Sequence, residues 1–153
     1  MKITVEDNFK EVSSNIDASI REQPSIVKTA LGRTAEFVMG LIKQRTARGQ
    51  DAGKNSFPPY SQAYIEFRKL KGRQTAYPDL NFTGQMLSNM SQKSTPTYAE
   101  IYFPSKAQAV KAMGNNRTRN FFAVGDAELE PIKNVFLLEY NKLNKVLWAN
   151  EKI

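Results

Sequence analysis

The sequence predicts an α+β fold, a small antiparallel sheet flanked by helices with a long extended loop, on three observations. Apolar residues recur at helical spacing over 26–47 and again over 131–149, as along the buried face of an amphipathic helix. Between them, Tyr98, Glu100 and Tyr102 alternate with Ala99, Ile101 and Phe103, the period-two pattern of a half-buried strand. Residues 49–62, the first part of the 49–79 arm, follow neither period. Gly49, Gly53, Pro58 and Pro59 lie close together there, and tandem prolines suit neither a central strand nor a helix interior. At 153 residues the chain is expected to form one domain with a real core.

The elements follow in order. Residues 1–23 open with Ile3 and Val5 as an edge strand, then Phe9, Val12, Ile16 and Ile20 at helical steps, with Pro24 ending that helix. Ser25 is the expected N-cap of the main helix, 26–47, whose stripe includes Leu31, Val38 and Leu41. Lys43, Arg45 and Arg48 crowd its last turn, where cations complement the helix dipole. Gly49 supplies the left-handed residue that closes it. Within the 49–79 arm, Tyr64, Phe67 and Leu70 mark a short helix ended by Gly72 and Pro78.

Residues 83–125 hold short helices and strands. Thr83 is the expected N-cap of a helix carrying Met86, Leu87 and Met90, and residues 91–103 are strand material with a turn at Pro96. Pro104 and Ser105 start a helix through Met113, broken at Gly114-Asn115-Asn116, and 117–125 reads as extended. Pro131 fits the first turn of the final helix, with Glu128 and Glu130 near its positive end. Its stripe is Ile132, Val135, Phe136, Leu143, Val146 and Leu147, with Trp148 near the end.

Composition narrows the chemistry. Lys plus Arg number 22 against 15 acids, a net charge of +7 that favours attraction to nucleic acid or other acidic surfaces. No run of 18 apolar residues exists, so no membrane span or membrane partner is expected. The N-terminal residues lack the apolar region of a signal peptide, and with no cysteine there is no disulfide framework, so an intracellular protein is expected.

The absence of histidine removes the commonest metal ligand and the side chain most used for acid–base work near neutral pH. Gly49–Asn55 resembles a phosphate loop only superficially: it is one residue short between its glycines, lacks the hydroxyl after Lys54 and follows a helix. The carboxylate pairs Glu6/Asp7 and Glu128/Glu130 come without a cleft or a reason for shifted pKa. No catalytic, cofactor-binding or metal residue is assigned, and the chain is expected not to be an enzyme.

Two groups of residues remain as contact candidates. Phe57, Pro58, Pro59, Tyr60, Tyr64 and Phe67 give the arm more large apolar area than a free loop exposes, so part of it is expected at a subunit interface. Arg68, Lys69, Lys71, Arg73, Arg117 and Arg119 are either a solvated face or contacts to nucleic acid or an acidic partner.

The order of the pieces carries a resemblance. Arg48-Gly49, Asp51, Gly53-Lys54, Phe57-Pro58-Pro59-Tyr60-Ser61 and Tyr64 precede a basic stretch, Asp79-Leu80, Thr83-Gly84 and Met86-Leu87. After the strands comes Arg119-x-x-Phe122-x-x-Gly125-Asp126, then a helix. This order is similar to that of the tailed-bacteriophage virion-morphogenesis proteins, the tail-completion or neck family of phage Mu type, over roughly 26–138. Phe57 stands where that family often has tryptophan, and Asn120 where it has proline.

The resemblance implies a non-enzymatic structural protein at the head–tail junction or upper end of the tail. It would be assembled in the host cytoplasm as a homo-oligomeric ring, with a loop reaching a neighbouring subunit. Gly49, Gly53, Phe57, Tyr60 and Thr83-Gly84 would be scaffold of that loop, and Phe121, Phe122 and Gly125 would anchor the final helix. Its partners would be neck, connector and tail-tube proteins, with DNA passing through the channel as a further candidate. The alternative from the residues themselves is a small basic nucleic-acid-binding module using 68–73 and 117–119.

Overall fold

A computed structural model of the chain describes residues 2–3 and 23–150. The elements are β1 (Lys2–Ile3), α1 (Gln23–Ala47), α2 (Gln62–Leu70), α3 (Gln85–Ser88), β2 (Ser91–Ser94), β3 (Ala99–Tyr102), α4 (Lys106–Asn116) and α5 (Asp126–Asn150). The fold is α+β, with helices flanking a small sheet of order β1-β3-β2. β1 pairs antiparallel with β3, Lys2 opposite Glu100 and Ile3 opposite Ala99. The expected helix carrying Phe9, Val12, Ile16 and Ile20 lies outside the described residues, as do Val5 and the side chains of Val146, Leu147 and Trp148.

The contacts divide the chain into two compact units where the sequence predicts one domain. Among the described residues, the first comprises 2–3, 23–38, 92–101 and 129–150, and the second 39–91 and 102–128. In the first unit, α1 buries Ile26, Ala30, Leu31, Ala35 and Val38, β3 buries Ala99 and Ile101, and α5 buries Ile132 and Phe136. Small residues on α1 set the spacing. A Cβ on Gly32 would stand 3.1 Å from Ser94 Oγ, so the helix backbone runs close to β2. Buried Thr34 stays satisfied by donating to the Ala30 carbonyl at 2.8 Å. The β2–β3 hairpin is closed by the Thr95 N–H donating to Tyr98 O at 2.8 Å, which is the turn signalled by Pro96.

In the second unit the core is Ile42, Ala52, Phe57, Met86, Leu87, Met90, Ala112 and Phe121, and it also contains Arg45, Thr46 and Arg68. α1 ends as expected at Gly49, whose φ is +72°. Gly49 N–H bonds to Thr46 O and Gln50 N–H to Arg45 O, the paired bonds of a Schellman cap. α2 ends in the same way, Gly72 N–H to Lys69 O and Arg73 N–H to Arg68 O.

Four boundaries differ from expectation. α1 begins at Gln23, so Pro24 lies in its first turn, where a proline lacks only an N–H that would be unpaired anyway, and Ser25 lies inside the helix. Gly84, not Thr83, stands at the N-cap of α3. α4 runs through Gly114 to Asn116, and Asn115 donates to Lys111 O within it. α5 begins at Asp126, so Pro131 is inside it. The cap here is the glutamate half of a capping box: Glu128, three residues in, accepts the Gly125 N–H at 2.9 Å, which fixes the start before the proline is reached. Residues 117–125 form turns and bends, not a strand.

Candidate functional site

Two clusters in the second unit gather most of the residues singled out in the sequence. The first is a knot around Arg45. Its guanidinium donates to both oxygens of Glu128, to Phe121 O at 2.8 Å and to Ala123 O. Arg45 and Glu128 side chains are only 7% and 12% exposed, so this pair is shielded from water and its loss would strand a buried charge. The cation at the end of α1 thus has a specific partner beyond the helix dipole.

Residues 49–57 dock on this knot. Gln50 bridges Ser56, Asp51 N–H bonds to Asn55 O, and Phe57 N–H bonds to Gly49 O at 2.7 Å, so this part of the long loop doubles back on itself. Ala52 N–H reaches Asn120 O at 3.1 Å, and the Ala52 carbonyl lies against Gly125. Arg119 completes the attachment, donating through Nε to Pro58 O and through Nη2 to Pro59 O, both at 3.1 Å. Proline carbonyls accept these bonds without needing an N–H of their own.

The second cluster is an aromatic and cationic ladder. Tyr60 and Tyr64 meet edge to face at 4.9 Å, Tyr64 stacks on Phe67 at 6.0 Å and Phe67 on Phe82 at 5.4 Å. Cations stand over the rings: Arg68 and Arg119 over Tyr60, Lys71 over Phe67, and Arg73 over Phe82. Arg68 is buried at 1% exposure and fully engaged, with Asp79 at 3.0 Å and Gln74 O at 2.9 Å. The Tyr60 hydroxyl accepts the Leu80 N–H at 3.1 Å and donates toward Asp79. Burial raises the Tyr60 phenol above its ordinary value, against the opposing pull of the Leu80 N–H and Arg68, so it stays a donor at neutral pH. This network holds Leu80 at φ +52°, an unusual conformation for a residue with a Cβ.

The contact candidates therefore separate. Phe57 is core, Tyr60 and Tyr64 are half-buried, and Pro58, Pro59 and Phe67 are exposed. Phe57 is consequently buried within its own chain. Arg68 is removed from the solvent-facing cations, because Asp79 and the Gln74 carbonyl hold it inside. Lys69, Lys71, Arg73 and Arg117 are exposed, and Arg119 is half-buried. α2 is thereby inverted relative to its sequence pattern: its arginine is inside while Leu70 is 85% and Phe67 43% exposed.

Between the ladder and α4 lies an open cleft of about 530 Å³. Tyr60, Tyr64, Phe82 and Met86 form its apolar surface, while Lys111 and Arg119 supply positive charge. Lys111, Asn115 and Phe82 were not singled out from the sequence as contact residues, since each lies on an element whose neighbours across the cleft are distant in the chain. Among the described residues, no group of three or more His, Cys, Asp or Glu side chains could hold a metal ion, and no helix is long and apolar enough to cross a membrane. Compared with protein-family models, with curated proteins and with solved structures, the chain finds no match in any of the three.

Proposed function

We propose that the chain is a non-catalytic structural subunit of a tailed-bacteriophage particle, a tail-completion or neck component that assembles as a homo-oligomeric ring. The supporting observation is that the fragments carrying the resemblance, far apart in sequence, converge in one knot. Pro58 and Pro59 accept from Arg119, Ala52 lies against Asn120 and Gly125, and Arg45 reaches Phe121 O there, and each of these polar contacts serves packing or capping. Such a knot holds a surface in place. The surface it holds includes Phe67, Leu70 and Tyr77, large apolar groups turned outward on and beside α2, as expected of an assembly contact.

In this reading the subunit assembles in the host cytoplasm and resides in the virion, against connector and tail-tube proteins and near DNA in the channel. Sedimentation and native mass measurement of the purified chain should give one discrete oligomer, and the chain should co-purify with particles. A monomer at all concentrations, absent from particles, overturns the proposal.

A second reading, a small basic nucleic-acid-binding module, draws on the exposed Lys69, Lys71, Arg73 and Arg117. It requires binding of free DNA that weakens steeply as salt rises.

A further inference from the structure

The cleft between the aromatic ladder and α4 has positive charge without a counterpart. Among the described residues neither Lys111 nor Arg119 has a carboxylate partner, and no Asp or Glu lines the cleft. A nucleobase is a poor occupant, because the rings that would stack it are already engaged. Tyr60 carries Arg68 and Arg119, and Tyr64 and Phe82 both pack on Phe67. A carboxylate joined to an aliphatic group suits the cleft better, with the anion at Lys111, in the field of Arg119 whose donors already go to Pro58, Pro59 and Thr118, and the apolar part on Met86 and Leu80.

The chain itself displays such a segment. At the start of α5, Asp126 and Glu130 are exposed acids and Leu129, between them in sequence, is 56% exposed. Glu130 has only an exposed contact to Lys133 at 3.6 Å, with side chains 74% and 64% accessible, which holds it weakly. Leu129 presents to solvent the kind of group that the cleft wall would bury.

We infer that the cleft of one subunit receives the first turns of α5 from a second copy, with Glu130 and Asp126 opposite Lys111 and Arg119 and Leu129 against Met86 and Leu80. This rests on the ring reading and names the contact within it. Cleft and helix start are different surface patches, so the contact is head-to-tail, the kind that closes into a ring when its rotation permits. It also explains the cleft's composition, since charge of one sign beside apolar walls selects one partner and rejects like-charged ones.

The test uses four full-length proteins: wild type, Lys111→Glu, Glu130→Lys and the double variant, each checked for fold by circular dichroism. Each single reversal puts like charges together in every contact and should abolish the oligomer seen for the wild type. The double variant restores opposite charges and should recover it. A wild-type oligomer that both single variants also form overturns the pairing while the ring reading stands. Loss in the single variants with no recovery in the double variant also overturns the pairing. A monomeric wild type overturns both.

Discussion

The carbonyl of Ala52 occupies the space in which residue 125 would carry a Cβ, so only glycine fits at the start of α5. The obstruction is backbone, held in turn by the bond from Ala52 N–H to Asn120 O, and it cannot swing aside as a flexible side chain could. Gly125→Ala should therefore destabilise the second unit by about 1–3 kcal/mol or more, as overpacking does. Chemical denaturation measures this, and a loss below about 0.5 kcal/mol would mean that the loop can shift at little cost.

Breaking the knot from its acidic side tests the buried pair. Glu128→Ala leaves the Arg45 guanidinium with only carbonyl partners and removes the acceptor of the Gly125 N–H. A cost of about 3–5 kcal/mol is expected for stranding such a charge. Unfolding midpoints in urea for Glu128→Ala and Arg45→Ala, and for the two combined, give the coupling. Additive losses would contradict a shared node.

Phe57 and Leu70 should behave oppositely although both are large apolar residues of the same loop region. Phe57→Ala empties a core position at 5% exposure and should cost about 3–5 kcal/mol. Leu70→Ser changes a side chain that is 85% exposed and should alter stability by no more than about 0.5 kcal/mol. If α2 is an assembly surface, the same Leu70→Ser should reduce oligomer mass. Thermal unfolding and sedimentation, run on both variants, separate the two roles.

A pH dependence is expected in the first unit. Glu139 accepts from Arg33 at 2.6 Å and from Lys142 at 2.9 Å, and these bonds hold its carboxyl below the ordinary carboxylate range. Because the folded value is the lower one, its stabilisation is present above the unfolded value and disappears as pH falls through the folded value. The stability difference between wild type and Glu139→Gln should accordingly shrink as acid is added. A difference constant from neutral pH to well below the carboxylate range would show that the ion contacts contribute nothing.

Local signals were legible and distant ones were not. Gly49 at the close of α1, the alternation that buries Ala99 and Ile101, and the burial of Met86, Leu87 and Met90 all follow from residues within a few positions of one another. Leu31, Val38 and Phe136 lie in the core as their stripes predict, while Leu41, Val135 and Leu143 are half-buried near stripe edges.

Arg45 has an adequate local account as a dipole-complementing cation, which hides its tie to Glu128, 83 residues away. Arg68 sits in a basic run that composition reads as solvated, and only the turn bringing Asp79 back beside it reverses that. Pro131 was the conspicuous signal for the last helix, yet the sequence Gly125-Asp126-Ala127-Glu128 held the better one, a glutamate placed to reach back to the cap. The cleft was illegible for the same reason as the knot. Its charge comes from Lys111 and Arg119 and its walls from Tyr60, Tyr64 and Phe82, and no periodicity links those positions.

The tie between residues 45–57 and 119–128 also sets an order of events during synthesis. The ribosome delivers Arg45, the 49–57 loop and Phe57 long before it delivers the carbonyls, the carboxylate and the glycine that receive them. The second unit cannot close until Glu128 has left the exit tunnel, and until then Arg45 and Phe57 remain in water. The first unit waits longer still, since Arg33 meets Glu139. Until then a nascent chain would carry unpaired apolar surface, the condition in which incompletely folded chains are prone to associate.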